Sequence, residues 1–227
     1  MELNPGMTVR CVRGDLTQTF RCGDLLDADA VPWYREHLPP RVRLVYSDPP
    51  WNPGNGKFWR TKAGLDLRGT YNDFLAAWCV VVAICQRRGC TDVLVEQSIN
   101  ATHADLLRAA AMLTEGWTLT ERGAWRVLYG TGAKLLPNAL MHFGTGTLTA
   151  DPTDLSGESM TLRAVTGLRP MVVPGDTIVD PCMGLGRTSR IAHYLGCSAV
   201  GSELDPKRLA RTIGWLAGQG YAIEVRA

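Results

Sequence analysis

The chain has 227 residues, with 24 lysines and arginines against 22 aspartates and glutamates and a net charge of +2. Its 45% apolar and 20% charged residues are enough for a large core and exclude wholesale disorder, while so small a charge neither demands nor excludes an anionic partner. Seven cysteines without a C-x-x-C pair, and four histidines, write no zinc spacing, so the thiols read as reduced core residues and no metal is expected. The first ten residues carry no apolar signal segment, and the longest apolar run, 74–85, is too short to span a bilayer. The expectation is a cytoplasmic protein without a membrane partner.

In chain order, "RVRLVYSD" (41–48) reads as a buried strand. Residues 71–88 read as a helix capped by Asn72 or Asp73, 91–98 as a strand, and 103–116 as a helix stopped by Gly116. Two longer runs, 118–130 and 138–148, flank a turn-rich loop and predict an antiparallel hairpin at one sheet edge. Residues 150–160 are polar and loop-like. A weak helix (161–170), a strand (176–180), a helix (187–196), a strand (198–205) and a helix opened by Pro206 (206–218) follow. This alternation predicts an α/β chain with a mostly parallel sheet covered by helices on both faces. No linker divides it, so a single domain, 1–227, is expected, with halves at about 1–147 and 160–227.

"TIVDPCMGLGRTSRIAHYLG" (177–196) has the layout strand, Gly184-x-Gly186 turn, helix, in which glycines let a ligand approach backbone and a helix N-terminus offers free N–H groups. The next strand ends in Glu203, an acid placed to accept both hydroxyls of a ribose. Ser189-Arg190 stands where a dinucleotide fingerprint places its third glycine, so no pyrophosphate cradle is complete. An adenosine ligand without phosphate fits better, and S-adenosylmethionine is the obvious one.

"DPPW" (Asp48, Pro49, Pro50, Trp51) resembles the catalytic motif of amino-group methyltransferases acting on N6 of adenine or N4 of cytosine. "DPCMGLGRTS" with "GSELD" is similar to their S-adenosylmethionine motifs, and "RCGDLLD" (21–27) to a strand-plus-acid segment that precedes the catalytic motif. The catalytic motif comes first here, the circularly permuted order of the beta class of amino DNA methyltransferases. The resemblance implies a Rossmann-like class I methyltransferase fold: α/β, with a mostly parallel seven-stranded sheet and an antiparallel edge hairpin. It implies S-adenosylmethionine as cofactor and DNA, with the target base flipped out, as partner. By the same resemblance the cofactor is held by Asp180, Pro181, Cys182, Gly184, Gly186, Arg187, Thr188 and Glu203; Asp24 stands at its adenine amine or is an ordinary turn aspartate, and Ser159, where the usual Lys-Pro is missing, meets its methionine end through backbone only.

The motif suits that chemistry. Asp48 and the Pro49 carbonyl can each accept an N–H of an exocyclic amine, turning its lone pair outward, while the prolines fix φ and offer no competing donor. Trp51 offers a face for a flat base. The plain alternative is a strand ending at a Pro-Pro turn with a half-buried tryptophan. In the family that the motif resembles, aspartate in the first position goes more often with adenine than with cytosine, so the resemblance implies N6 of adenine. Cytosine N4, RNA or another amine acceptor are the alternatives, and an inactive nucleic-acid-binding subunit is the non-enzyme one.

The loop 52–70 interleaves bases with aromatics, so Lys57, Trp59, Arg60 and Lys62 are candidates for nucleic-acid contact; a lid over the cofactor or a solvated loop is the other reading. Pro181-Cys182 mimics the nucleophile pair of cytosine-C5 enzymes, but inside the cofactor turn the thiol reads as a small apolar residue. Glu96 and Asn100 are candidates for the base pocket or for a structural cap. Cys182, Leu185 and Arg187 stand where the related turn has phenylalanine, serine and threonine. Only about 13 residues, 148–160, stand where the family that the chain resembles carries a target-recognition insert, as in compact phage-type enzymes, which implies relaxed sequence specificity, a partner such as a homodimer, or recognition by the 52–70 loop.

Overall fold

A computed structural model describes residues 2–66, 68–129, 136–146 and 161–226. Among these residues, nine strands form one sheet: β1 (Thr8–Arg13), β2 (Leu16–Cys22), β3 (Leu44–Ser47), β4 (Asp92–Ser98), β5 (Glu121–Tyr129), β6 (Leu136–Gly144), β7 (Thr177–Asp180), β8 (Ser198–Glu203) and β9 (Ala222–Arg226). Their order across the sheet is β5-β6-β4-β3-β7-β8-β2-β1-β9. The described helices are α1 (Ala30–His37), α2 (Pro53–Lys62), α3 (Tyr71–Arg87), α4 (Ala101–Leu113), α5 (Thr161–Leu168), α6 (Arg187–Leu195) and α7 (Pro206–Gly218), with a 3₁₀ turn at Arg169–Met171.

The expected seven-stranded, mostly parallel sheet is corrected by this topology. Only the centre, β4-β3-β7-β8-β2, is parallel; the β5–β6 hairpin extends one edge, and β1 and β9 the other, all antiparallel. The unpredicted edge begins with "TVRCVR-GD-LTQTFRC", where alternating residues flank a two-residue turn and Gly14 takes φ +57°. β9 is short and mostly exposed, and it forms because β1 supplies a free edge, from Thr8↔Arg226 to Val12↔Ala222.

Side chains alternate across the central strands as the pleat requires. Leu44 and Tyr46 join Phe20, Ile178, Ile191 and Leu209 in a core on the face of α5, α6 and α7. Val45 joins Tyr34, Trp78, Val93, Leu107 and Met141 on the face of α1, α3 and α4. Both faces are therefore covered, which is why the central strands read as continuous apolar runs.

Three local expectations differ from the structure. The stretch read as a loop from 52 contains α2: Asn52 caps it by accepting from Asn55 N at 2.9 Å, and Pro53 opens its first turn. α3 is capped by Thr70 rather than Asn72 or Asp73, through a capping box in which the Asp73 carboxylate accepts from Thr70 N at 2.6 Å. α4 ends at Leu113, short of Gly116, and Asn100 is its N-cap, accepting from Thr102 N at 3.0 Å. No described helix is long and apolar enough to cross a membrane. Among the described residues no group of three or more His, Cys, Asp or Glu could hold a metal ion.

Candidate active site

Chain direction places the site. From β3 the chain crosses by α2 and α3 to β4 on one side; from β7 it crosses by α6 to β8 on the other. The crossovers diverge between β3 and β7, and in open α/β sheets the crevice at such a switch point, beyond the carboxyl ends of the strands, is where ligands bind. Asp48, Asp180 and Glu203 end or follow β3, β7 and β8, so acids from three neighbouring strands stand side by side.

They line a cavity of about 720 Å³ together with Pro49, Pro50, Trp51, Pro181, Cys182, Gly184, Arg187 and Thr188. Asp24, Lys57, Trp59 and Arg60 line it as well. Gly186 and Lys62 do not: Gly186 is packed against Thr212 at the start of α6, and Lys62 is exposed. Ser159 lies outside the described residues. Glu96 and Asn100 are not in the wall either; Glu96 is fully buried behind it.

Each acid has its own surroundings. Asp48 is half-buried, and its Oδ1 accepts from the indole Nε1 of Trp51 at 2.7 Å. Burial and then the charge of Glu96 push its carboxyl well above the usual range, against the pull of the Trp51 bond and of Arg187. Asp180 is raised to about 6 by burial, opposed by bonds from Thr188 Oγ1 at 2.7 Å and Cys182 N at 2.9 Å. Those two bonds close the glycine turn, so Asp180 and Thr188 act as its scaffold. Glu203 is raised to about 7 by burial, opposed by the charge of Arg208, and its Oε1 accepts from Asp205 N at 2.9 Å. Cys182 is pushed well up by burial and by the surrounding carboxylates, which leaves a thiol rather than a nucleophilic thiolate.

The turn comes close to its neighbours because glycine allows it. Gly184 and Gly186 take φ +56° and +76°, and a Cβ on Gly184 would stand 3.0 Å from Arg208 Nη2. On the opposite wall, α2 lies over the cavity. The Arg208 guanidinium sits 4.3 Å from the Trp59 ring centroid, and Arg60 forms an ion pair with Asp24. Arg60, a candidate for nucleic-acid contact, is 8% exposed and also donates to Asp66 O at 2.8 Å, so its charge is met inside the fold. Asp24 in turn gives one oxygen to Arg60 and the other to Leu26 N at 2.9 Å. Lys57 and Lys62 are exposed.

The wall includes residues the sequence reading did not single out. Tyr71 opens α3 and donates from its hydroxyl to Pro50 O at 3.0 Å, while Gln97 Nε2 donates to that hydroxyl at 3.2 Å. This fixes the backbone of the Asp48–Trp51 stretch from outside. Phe74, one turn on, lines the cavity too. An aromatic pair three apart in the first turn of a helix that follows the motif was the available signal. Arg208 had none, because its role depends on α7 lying beside α2.

No protein-family model matches the chain, and no curated protein matches it in sequence. Solved structures do match. M1.HpyAVI is 13% identical with a TM-score of 0.53, over 87% of this chain and 98% of that one. TTHA0409 of Thermus thermophilus, assigned as a DNA modification methylase and complexed with S-adenosyl-L-methionine, is 15% identical with a TM-score of 0.55, over 88% and 93%. The PvuII DNA methyltransferase, cytosine-N4-specific, is 10% identical with a TM-score of 0.58, over 86% and 85%. At such identities the likeness speaks for architecture: this chain has the Rossmann-like α/β fold that DNA methyltransferases share.

Proposed function

We propose that the protein transfers a methyl group from S-adenosylmethionine to the exocyclic N6 amine of adenine in DNA. One observation carries this reading: Asp48-Pro49-Pro50-Trp51 and the Gly184–Gly186 turn with Glu203, over 130 residues apart, meet around one cavity at the switch point of a methyltransferase-type sheet. The residues fit the cofactor. A cavity of about 720 Å³ takes a nucleoside with an amino-acid tail, the turn has no side chain at Gly184, and Glu203 presents a carboxylate held by Asp205 N–H. Glu203 then accepts the ribose hydroxyls, and the turn and the start of α6 face the ligand with backbone. When bound, the cofactor supplies an electrophilic methyl on a sulfonium.

The chain's own part is to make a poor nucleophile competent. Asp48 and the Pro49 carbonyl accept the two N–H bonds of the amine, aim its lone pair and stabilise the positive charge that develops on nitrogen. Trp51 and the Tyr71–Phe74 pair close on the faces of the base, which leaves the duplex to reach them. Positioning of this kind supplies up to about 7–11 kcal/mol. We read the order of the motifs as the permuted arrangement of the beta class, within one domain, and Lys57 and Lys62 as contacts to the phosphate backbone.

Cytosine N4 is the second reading, since it presents the same amine geometry and the PvuII enzyme is among the similar structures. The test is transfer of label from S-adenosylmethionine to unmethylated DNA, digested to nucleosides, with Asp48→Ala as control. Label on N6-methyladenine that the variant loses supports the first reading, label on N4-methylcytosine the second. Cofactor binding without label on DNA overturns both.

A further inference from the structure

We infer that Arg187 and Glu96 form a positioning unit that sets the charge on Asp48. This rests on the proposed role of Asp48 as the acceptor of the amine, and it gives Arg187 and Glu96 a part other than direct contact with cofactor or base. Arg187 takes the last position of the glycine turn, where the similar motif has a threonine. Its side chain turns into the protein, 10% exposed, and donates from Nη1 to Glu96 Oε1 at 2.7 Å. Glu96 is completely buried, and the same oxygen accepts from the Tyr46 hydroxyl at 3.0 Å. The Arg187 guanidinium lies 5.1 Å from the Tyr46 ring centroid.

A buried ion pair of this kind is costly to desolvate and is weak evidence for stability. Its location gives it another use. Glu96 lies on β4, Asp48 follows β3 and Asp180 ends β7, three neighbouring parallel strands; Ser47 pairs with Val95, so Asp48 and Glu96 are the next residues along, and the three carboxyls stand together beside the cavity. Asp48, Asp180 and Arg187 line one cavity and Glu96 stands behind it, bonded to Arg187, so the charged groups facing Asp48 are Glu96 from β4, Arg187 from α6 and Asp180 from β7. Tyr46 from β3 and Cys182 from the turn are neutral neighbours, both with strongly raised pKa values. Burial and then the two negative charges drive Asp48 towards its protonated form, and the Trp51 N–H bond and the Arg187 cation oppose them. Protonated, Asp48 has lost the carboxylate that holds the amine. The cluster titrates as a unit, and Arg187 decides where on the pH scale Asp48 becomes competent.

The signs of two substitutions are opposite, which a merely structural role does not produce. Arg187→Met removes the cation and leaves Glu96 against Asp48, so Asp48 ionises at higher pH. Glu96→Gln removes the anion, keeps an acceptor for Tyr46 and Arg187, and lets Asp48 ionise at lower pH. Arg187→Lys keeps the charge without the planar fork and falls between wild type and Arg187→Met.

The test is a pH titration of the Asp carboxyl ¹³C resonances in the full-length protein, with Asp48→Asn to assign the signal, beside the pH profile of kcat/KM for DNA methylation. Relative to wild type, the Asp48 midpoint is expected to rise by about 1–3 pH units in Arg187→Met and to fall in Glu96→Gln. The acid limb of kcat/KM moves with it, so about one pH unit below the wild-type midpoint Arg187→Met loses roughly a further tenfold in activity for every pH unit its midpoint has risen. Midpoints that stay put, or that move the same way in both variants, overturn the inference. If Arg187→Met does not fold, Glu96→Gln and Arg187→Lys still decide the matter. If wild type methylates no DNA, the proposed function fails, and the carboxyl titration alone judges the charge-setting role.

Discussion

Replacing Gly186 with alanine tests whether the glycine turn is shaped by packing as well as by backbone conformation. Gly186 is the N-cap of α6 at φ +76°, and its N–H donates to Met183 O at 2.8 Å. A non-glycine residue held in that region costs about 1–2 kcal/mol. An added Cβ would also run into Thr212, 2.9 Å from its Cβ and nearer still to its Oγ1 and Cγ2. Thr212 is 2% exposed and branched at Cβ, so it cannot swing away, and overpacking adds about 1–3 kcal/mol. The total is about 2–5 kcal/mol, or a melting point lower by about 4–20 °C for a chain of this length.

Gly14→Ala is the control. It has φ +57° with nothing within 4 Å of the added Cβ, so only the backbone cost of about 1–2 kcal/mol applies. Urea unfolding of Gly186→Ala, Gly14→Ala, Thr212→Ala and the Gly186→Ala/Thr212→Ala double variant closes a mutant cycle. The double variant should be more stable than the sum of its parts. If Gly186→Ala costs no more than Gly14→Ala, or if the cycle has no coupling, the packing argument is wrong.

Trp51→Phe keeps a stacking ring and removes the indole N–H that Asp48 accepts at 2.7 Å. A bond to a charged group is worth about 1.5–3 kcal/mol, so kcat/KM should fall roughly 10- to 100-fold, and an unchanged value would dismiss the bond's role. Glu203 is raised from 4.5 to about 7, so the native state holds its proton more tightly than the unfolded chain. Its contribution is therefore lost as pH rises from about 4.5 to about 7, and Glu203→Gln should be the more stable protein at pH 8 while binding S-adenosylmethionine more weakly by calorimetry. Equal melting points at pH 8 would contradict this. Arg60→Gln strands the buried Asp24 carboxylate and should cost about 3–5 kcal/mol of stability, with no change in the salt dependence of DNA affinity. Lys57→Gln should leave stability alone and lower the salt slope by about 1; the reverse pattern would restore Arg60 as a phosphate contact.

What could be read from the residues alone is what is local. Strands β3, β4, β7 and β8 lie within a few residues of where apolar runs placed them, since a strand buried on both faces must be apolar throughout. The Asp48–Trp51 stretch and the Gly184–Gly186 turn are contiguous, and so could be read without knowing their neighbours. The β1–β2 hairpin was equally local, and its alternation about Gly14-Asp15 was there to be used. α2 was masked by glycines and polar residues that are poor helix formers, and it holds through the Asn52 cap, the Arg60–Asp24 pair and the Trp59–Arg208 contact.

Everything that depends on pairing across the sheet had to wait for the folded chain. That Arg60 faces Asp24 rather than solvent, that Arg187 turns inward to Glu96, and that Arg208 covers Trp59 follow from which strands are neighbours. A charge has no fixed meaning until its surroundings are known. The same arginine serves a nucleic acid in water and a buried carboxylate in a core, and only the order β4-β3-β7-β8-β2 settles which of these it meets.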